Sequence, residues 1–95
     1  MRVVIKKSTN KDKKMMAIFY DGEKKIKTTH FGATGYTDYT LSKDEKKKKA
    51  YLDRHRTNEN WNDYMSAGSL SRWILWNKKT LSASIADYKK RFNLK

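Results

Sequence analysis

Four residues of this chain carry side chains suited to proton transfer or metal binding: His30, Asp38, His55 and Glu59. Two histidines and no cysteine among 95 residues would force a first-row metal site to recruit carboxylates from scattered positions. Disulfides and thiolate ligands are excluded outright. No nucleophile–base pair and no ligand spacing in the sequence meets the tests for a catalytic constellation. The expectation is therefore a protein that is not an enzyme, with no cofactor, no metal and no small-molecule substrate.

Two stretches invite a sharper chemistry. The run DRHRTNENWND, residues 53–63, has the His-Asn order of some nucleases but lacks the second, downstream histidine that such metal sites use. The run HFGATGYTDYT, His30 to Thr40, crowds two glycines, three aromatics and an aspartate together. Its GATG core matches in letters the GxxG loop that clamps nucleic-acid backbone, but that loop joins two helices whereas this one follows a strand. It also lacks the lysine and hydroxyl of a P-loop. Gly32, Gly35 and Asp38 are therefore expected to form a structural corner between a sheet and a helix, with the glycines permitting a sharp change of direction.

Charge is the strongest signal. The chain has 23 Lys and Arg against 10 Asp and Glu, a formal net charge of +13. Such an excess favours an anionic partner: nucleic acid, anionic lipid or an acidic protein surface. Lys46, Lys47, Lys49, Arg54 and Arg56 fall on one expected helix, and Lys78 and Lys79 add a second cluster. On a helix these side chains point in several directions, so no single groove-reading stripe emerges. Non-specific phosphate contact remains available, because each cation that neutralises a phosphate releases a counterion. Among the tryptophans, Trp73 and Trp76 flank Ile74 and Leu75 and are assigned to the core. Trp61, set among Asn58, Asn60 and Asn62, is the candidate for an exposed partner-contacting anchor.

The elements that must position these residues follow from periodicity. Arg2–Lys6 alternates, Lys14–Tyr20 is a continuous apolar run, and Lys24–Phe31 alternates again, giving a three-stranded antiparallel meander. Asp21-Gly22 supplies a hairpin signal of the type I′ kind. Residues 32–41 are then a connecting loop. Ser42-Lys43-Asp44-Glu45 has the form of a capping box, Ser42 capping the Glu45 amide and Glu45 reaching back, with helix to about Arg56. Asn58–Met65 allows one short helical turn. Gly68 is expected to break the chain before a short buried helix over Ser69–Trp76. Thr80 caps a last helix with Leu81, Ile85, Tyr88 and Phe92 in one apolar stripe. The fold class is α+β in a single domain, residues 1–95: a meander over 1–31, a loop over 32–41 and a bundle of three or so helices over 42–95. The apolar run at Met1–Lys7 is too short for a signal peptide and no stretch approaches membrane-spanning length, so a secreted or membrane-spanning protein is not expected.

From Phe31 to about Phe92 the order FGATGYTDYT, KKKKAYLDRHR, ENW, GSLSRWILWNK, TLSASIADYKKRF resembles a family of small basic proteins encoded by large nucleocytoplasmic DNA viruses. The resemblance brings no activity and no catalytic residue. It implies a viral gene product in the virion and, during assembly, in the host cytoplasm at the viral factory. The role expected from it is a minor capsid or cement protein that bridges capsid subunits, or shell and membrane, with other capsid proteins or an acidic surface as partner. The alternative is a virion protein that binds DNA non-specifically, and a small nuclease comes third. The charge count bears on the choice, because the basic excess is distributed over the whole chain and not gathered in a low-complexity tail: residues 1–31 carry nine basic and three acidic groups and residues 57–95 seven and three.

Overall fold

A computed structural model describes residues 1–95. Three antiparallel strands come first, in spatial order β1 (Arg2–Lys7), β2 (Lys13–Asp21), β3 (Lys24–Ala33). Ala17 pairs with Ile5 and Thr29, and Phe19 with Val3 and Lys27, so the period-2 alternation puts Val3, Met15, Ala17, Phe19 and Phe31 on the face that meets the helices. Phe19 and Phe31 are fully buried there, each contributing roughly 1.5–3 kcal/mol by removal from water. The β2–β3 turn differs from expectation. Its central residues are Gly22 and Glu23, and only Gly22 (φ 62°) has positive φ, which is the type II′ pattern and not type I′.

The helical half covers one face of this sheet. It comprises α1 (Tyr39–Ser42), α2 (Glu45–His55), α3 (Ala67–Leu70), which runs directly into a π-helical segment at Ser71–Leu75, and α4 (Leu81–Arg91). The architecture is the α+β arrangement expected. In α4 the Thr80 hydroxyl accepts from the Ala83 amide, Tyr88 is fully buried, and Leu81, Ile85 and Phe92 pack against the core. The Tyr88 hydroxyl donates to the Tyr64 carbonyl at 2.5 Å, so the one polar atom of a buried ring is satisfied. The chain ends are held by each other: the Val3 amide donates to the Lys95 carbonyl and the Lys95 amide to the Met1 carbonyl. No helix is long and apolar enough to cross a membrane.

Several local expectations are corrected. The capping box at Ser42 and Glu45 does not form. Asp38 caps a helical turn that ends at Ser42, Lys43 then turns the chain at φ 53°, and Asp44 is the residue that caps α2 through its bonds from the Lys46 and Lys47 amides. An aspartate N-cap is at least as good as a serine, and Glu45 is instead drawn to the Tyr39 hydroxyl at 2.5 Å. The stretch expected as loop over 32–41 is shorter, because β3 continues to Ala33 and α1 begins at Tyr39. Residues 58–65 form turns and no helix. Gly68 does not break the chain but lies inside α3, which Ser66 caps through the Ser69 amide.

Candidate anion-binding cleft

Gly32 sets the closeness of the two halves. At φ 78°, near the end of β3, it faces helix α3's π-helical extension so tightly that a β-carbon would lie 2.6 Å from Leu75 Cδ1. Its role is thus close approach within the strand, while Gly35 (φ 90°), with open space around it, makes the turn itself. The chain then reaches Asp38, which is 2 % exposed and fully engaged. Its carboxylate accepts from Lys14 Nζ at 2.7 Å, from the Thr40 amide at 2.9 Å and hydroxyl at 2.5 Å, and from the Leu41 amide at 3.3 Å. All of these contacts bind Asp38 to its own corner of the fold.

Between this corner, α2 and the start of α3 opens a cleft of about 550 Å³. Its walls include Phe31, Leu75 and Trp76 from the core, and Tyr36 stands at its edge. A stack of rings runs from the core towards its α2 side: Trp76 lies parallel to Tyr51 at 4.4 Å, and Tyr51 lies on His55 at 4.2 Å. Burial of Tyr51, followed by the nearby Glu59 charge, pushes its phenol up to about 12. The stacked phenol therefore stays neutral across the physiological range.

The ion pairs decide the cleft's electrostatics. Four cationic side chains border it, Lys13, Lys14, Lys47 and Arg54, together with the acids Asp38 and Glu59. Lys14 is matched by Asp38. Glu59 is held by His55 Nδ1 at 3.2 Å and by the Trp61 indole N–H, which donates at 3.0 Å. Its carboxylate also lies against the helix backbone at Gly68, where a β-carbon would come within 3.0 Å of it. Lys13, Lys47 and Arg54 form no ion pair. Three unpaired cations on two elements thus face one concavity, and each is exposed.

The other residues singled out from sequence fall elsewhere. Lys49 and Arg56 border a shallower depression of about 260 Å³ on another flank of α2, and Lys49 is tied to Asp53 at 2.8 Å. Lys46 is exposed and borders neither cavity. Lys78 and Lys79 sit at the turn before α4, where the Lys79 carbonyl accepts from Lys43 Nζ and the Lys78 amide donates to Ser84 Oγ. Trp61 is half-buried and not an exposed anchor: its carbonyl accepts from Ser69 Oγ and from the Trp73 indole, and the Arg72 guanidinium lies 5.3 Å from its ring. Its asparagine neighbours sit in turns, with the Asn60 side chain accepting from the Asn62 amide. Of the four acid–base candidates, His30 bonds Ser8 Oγ on the sheet face away from the core, Asp38 is spent on its cap and ion pair, and only His55 and Glu59 meet. No group of three or more His, Asp or Glu side chains comes together in a metal-holding arrangement.

Sequence reasoning missed Lys13 and Tyr36 as members of this site. Both adjoin a signal that was present: Lys13 opens the strand that runs beside Gly32–Ala33, and Tyr36 follows the turn glycine Gly35.

Comparison with known proteins bears on the same segment. The family model described as a family of unknown function (DUF5754) matches residues 3–55, and the chain belongs to that family. The match spans β1 to the end of α2, so it includes Lys13, Tyr36, Lys47 and Arg54. No curated protein and no solved structure matches the chain.

Proposed function

We propose that this member of the family is a binding module, without catalytic activity, that holds nucleic acid through its basic cleft. The observation that carries this is the convergence of Lys13, Lys47 and Arg54, all free of acidic partners, on one concave surface. A charge of +13 supplies the long-range attraction, and the cleft supplies a place where it is concentrated. The two acids nearby do not cancel it, since four cationic side chains border the cleft against Asp38 and Glu59, and Asp38 is paired with Lys14. By the resemblance described above, the setting would be the virion of a large DNA virus, assembled in the host cytoplasm.

A second role, as a minor capsid or cement protein, draws on a separate observation. Leu41 on α1 is 67 % exposed and Ile26 on β3 is 42 % exposed, apolar surface that a neighbouring protein would cover. These residues stand apart from one another in the sequence and lie outside the cleft lining, so the cleft is the stronger basis.

The test is nucleic-acid binding by the purified chain over a salt series. Three phosphate contacts predict a log–log slope of about −2 for single strands and about −3 for duplex. A chain that binds neither at low salt refutes the proposal.

A further inference from the structure

Taking the nucleic-acid role as its premise, the geometry points to a single-stranded segment as the occupant of the cleft, with one base lying on Tyr36 and the flanking phosphates on Lys13, Lys47 and Arg54.

Tyr36 is the most exposed large hydrophobic side chain of the molecule, at 73 %. Exposed aromatics on loops are usually accompanied by a loosely held backbone, yet this loop is braced on both sides. Before Tyr36, the Thr34 hydroxyl donates to the Lys11 carbonyl at 2.8 Å and its amide to the Asp12 carbonyl at 3.1 Å. Behind it, Asp38 is buried and tied to Lys14. The Tyr36 amide itself donates to the Ala33 carbonyl. A ring that contributes nothing to the core is therefore presented on a fixed turn at the mouth of a basic cleft. Holding the backbone beneath an exposed ring in place before the ligand arrives lowers the ordering cost of binding.

The cations are placed to follow a strand and not to grip one isolated anion. Lys47 and Arg54 are seven residues apart on α2, two turns along the same side and about 10 Å along its axis. Lys13 approaches from the first position of β2, the central strand of the sheet. A single small anion could engage one of these, whereas a phosphodiester chain crossing the cleft can engage all three. At about 550 Å³ the cleft falls in the range that takes a group of nucleotide size. A duplex keeps its bases stacked inside and offers only phosphates to a concavity, so it cannot place a base on Tyr36. An unpaired strand can, and stacking on an aromatic side chain is tolerant of sequence. An acidic peptide would satisfy the cations but would leave the ring without a planar partner.

The experiment measures fluorescence anisotropy of labelled twelve-nucleotide deoxyuridine and uridine strands and of a twelve-base-pair DNA duplex, at matched salt. The full chain is compared with Tyr36→Ala, Tyr36→Phe and the double variant Lys47→Ala, Arg54→Ala. The expected result is single-strand binding at least tenfold tighter than duplex binding, reduced roughly tenfold by Tyr36→Ala and retained by Tyr36→Phe. The double variant should flatten the salt slope by about 1.4 for single strands. The deoxyuridine and uridine arms differ in the 2′-hydroxyl, and the tighter of the two names the strand that fits. Because Tyr36 is so exposed, its replacement leaves the fold intact. Equal binding of duplex and single strands, unchanged by Tyr36→Ala, overturns this inference while leaving salt-dependent nucleic-acid binding in place. Absence of binding to all three probes overturns the premise as well.

Discussion

Replacement of Asp38 by alanine would remove two functions at once. Its carboxylate caps α1 through Thr40 and Leu41, and it is the only ion-pair partner of Lys14. Loss of an N-cap costs about 1 kcal/mol. Removing the acid also strands the Lys14 ammonium, whose side chain is 18 % exposed. Breaking a fully buried pair costs about 3–5 kcal/mol, and because Lys14 borders the open cleft it regains water, so we take about 2 kcal/mol. The sum is about 3 kcal/mol, equivalent to a fall in Tm of roughly 12–24 °C for a chain of this size. Urea unfolding at constant m measures it. Asp38→Asn keeps an acceptor for the α1 amides and should lose about 2 kcal/mol. In the double variant Lys14→Met, Asp38→Ala the losses should fall short of additive by at least about 1 kcal/mol, since the stranded charge is gone. A loss below about 1 kcal/mol for Asp38→Ala, or strict additivity in the double variant, would refute the reasoning.

Gly32→Ala should destabilise by about 2–4 kcal/mol in thermal melts, because positive φ costs about 1–2 kcal/mol for an L-residue and the new methyl meets the buried Leu75. Asp44→Ala should cost about 1 kcal/mol and Ser42→Ala under about 0.5 kcal/mol, the reverse of what a Ser42 capping box requires, as read by urea midpoints. Tyr51 has a folded-state pKa of about 12, raised above the ordinary value near 10 first by burial. Its contribution is therefore whole below pH 10 and is lost as pH rises towards 12, a decline of about 3 kcal/mol. Circular dichroism across that window should show Tyr51→Phe losing less stability than the unmodified chain.

The parts of the fold carried by short-range periodicity were legible. Alternation over Arg2–Lys6 and Lys24–Phe31 marks β1 and β3, and Thr80 with the Leu81, Ile85, Tyr88, Phe92 stripe marks α4; the continuous apolar run of β2 gives the strand but not its inward face. The failures lie where a local signal has a stronger neighbour. Ser42 and Glu45 have the spacing of a capping box, but Asp38 and Asp44 take the capping positions first. Gly68 is tolerated inside a helix because Ser66 caps that helix and the Glu59 carboxylate occupies the space where a side chain would stand. Trp61 appeared solvent-facing from its asparagine neighbours, yet its indole is fixed by Glu59 and its ring lies by Arg72.

The site was half legible for the same reason. Lys47 and Arg54 stand out as charge, and the glycine-rich corner stands out as backbone. Their meeting with Lys13 and Tyr36 depends on tertiary packing between distant segments, where Tyr51 of α2 lies on Trp76 and Leu75 lies against Gly32.

The most direct test of the cleft as the nucleic-acid site is a ¹⁵N–¹H NMR titration of the full chain with the twelve-nucleotide deoxyuridine strand. The account predicts that the largest amide shifts fall at Lys13 and Lys14, at residues 34–38 and along the Lys47–His55 side of α2. Lys24, Lys25 and Lys27 on β3, with Lys89 and Lys90 on α4, should move little although they are equally charged. Shifts of similar size at all lysines, or shifts centred on β3 and α4, would contradict it.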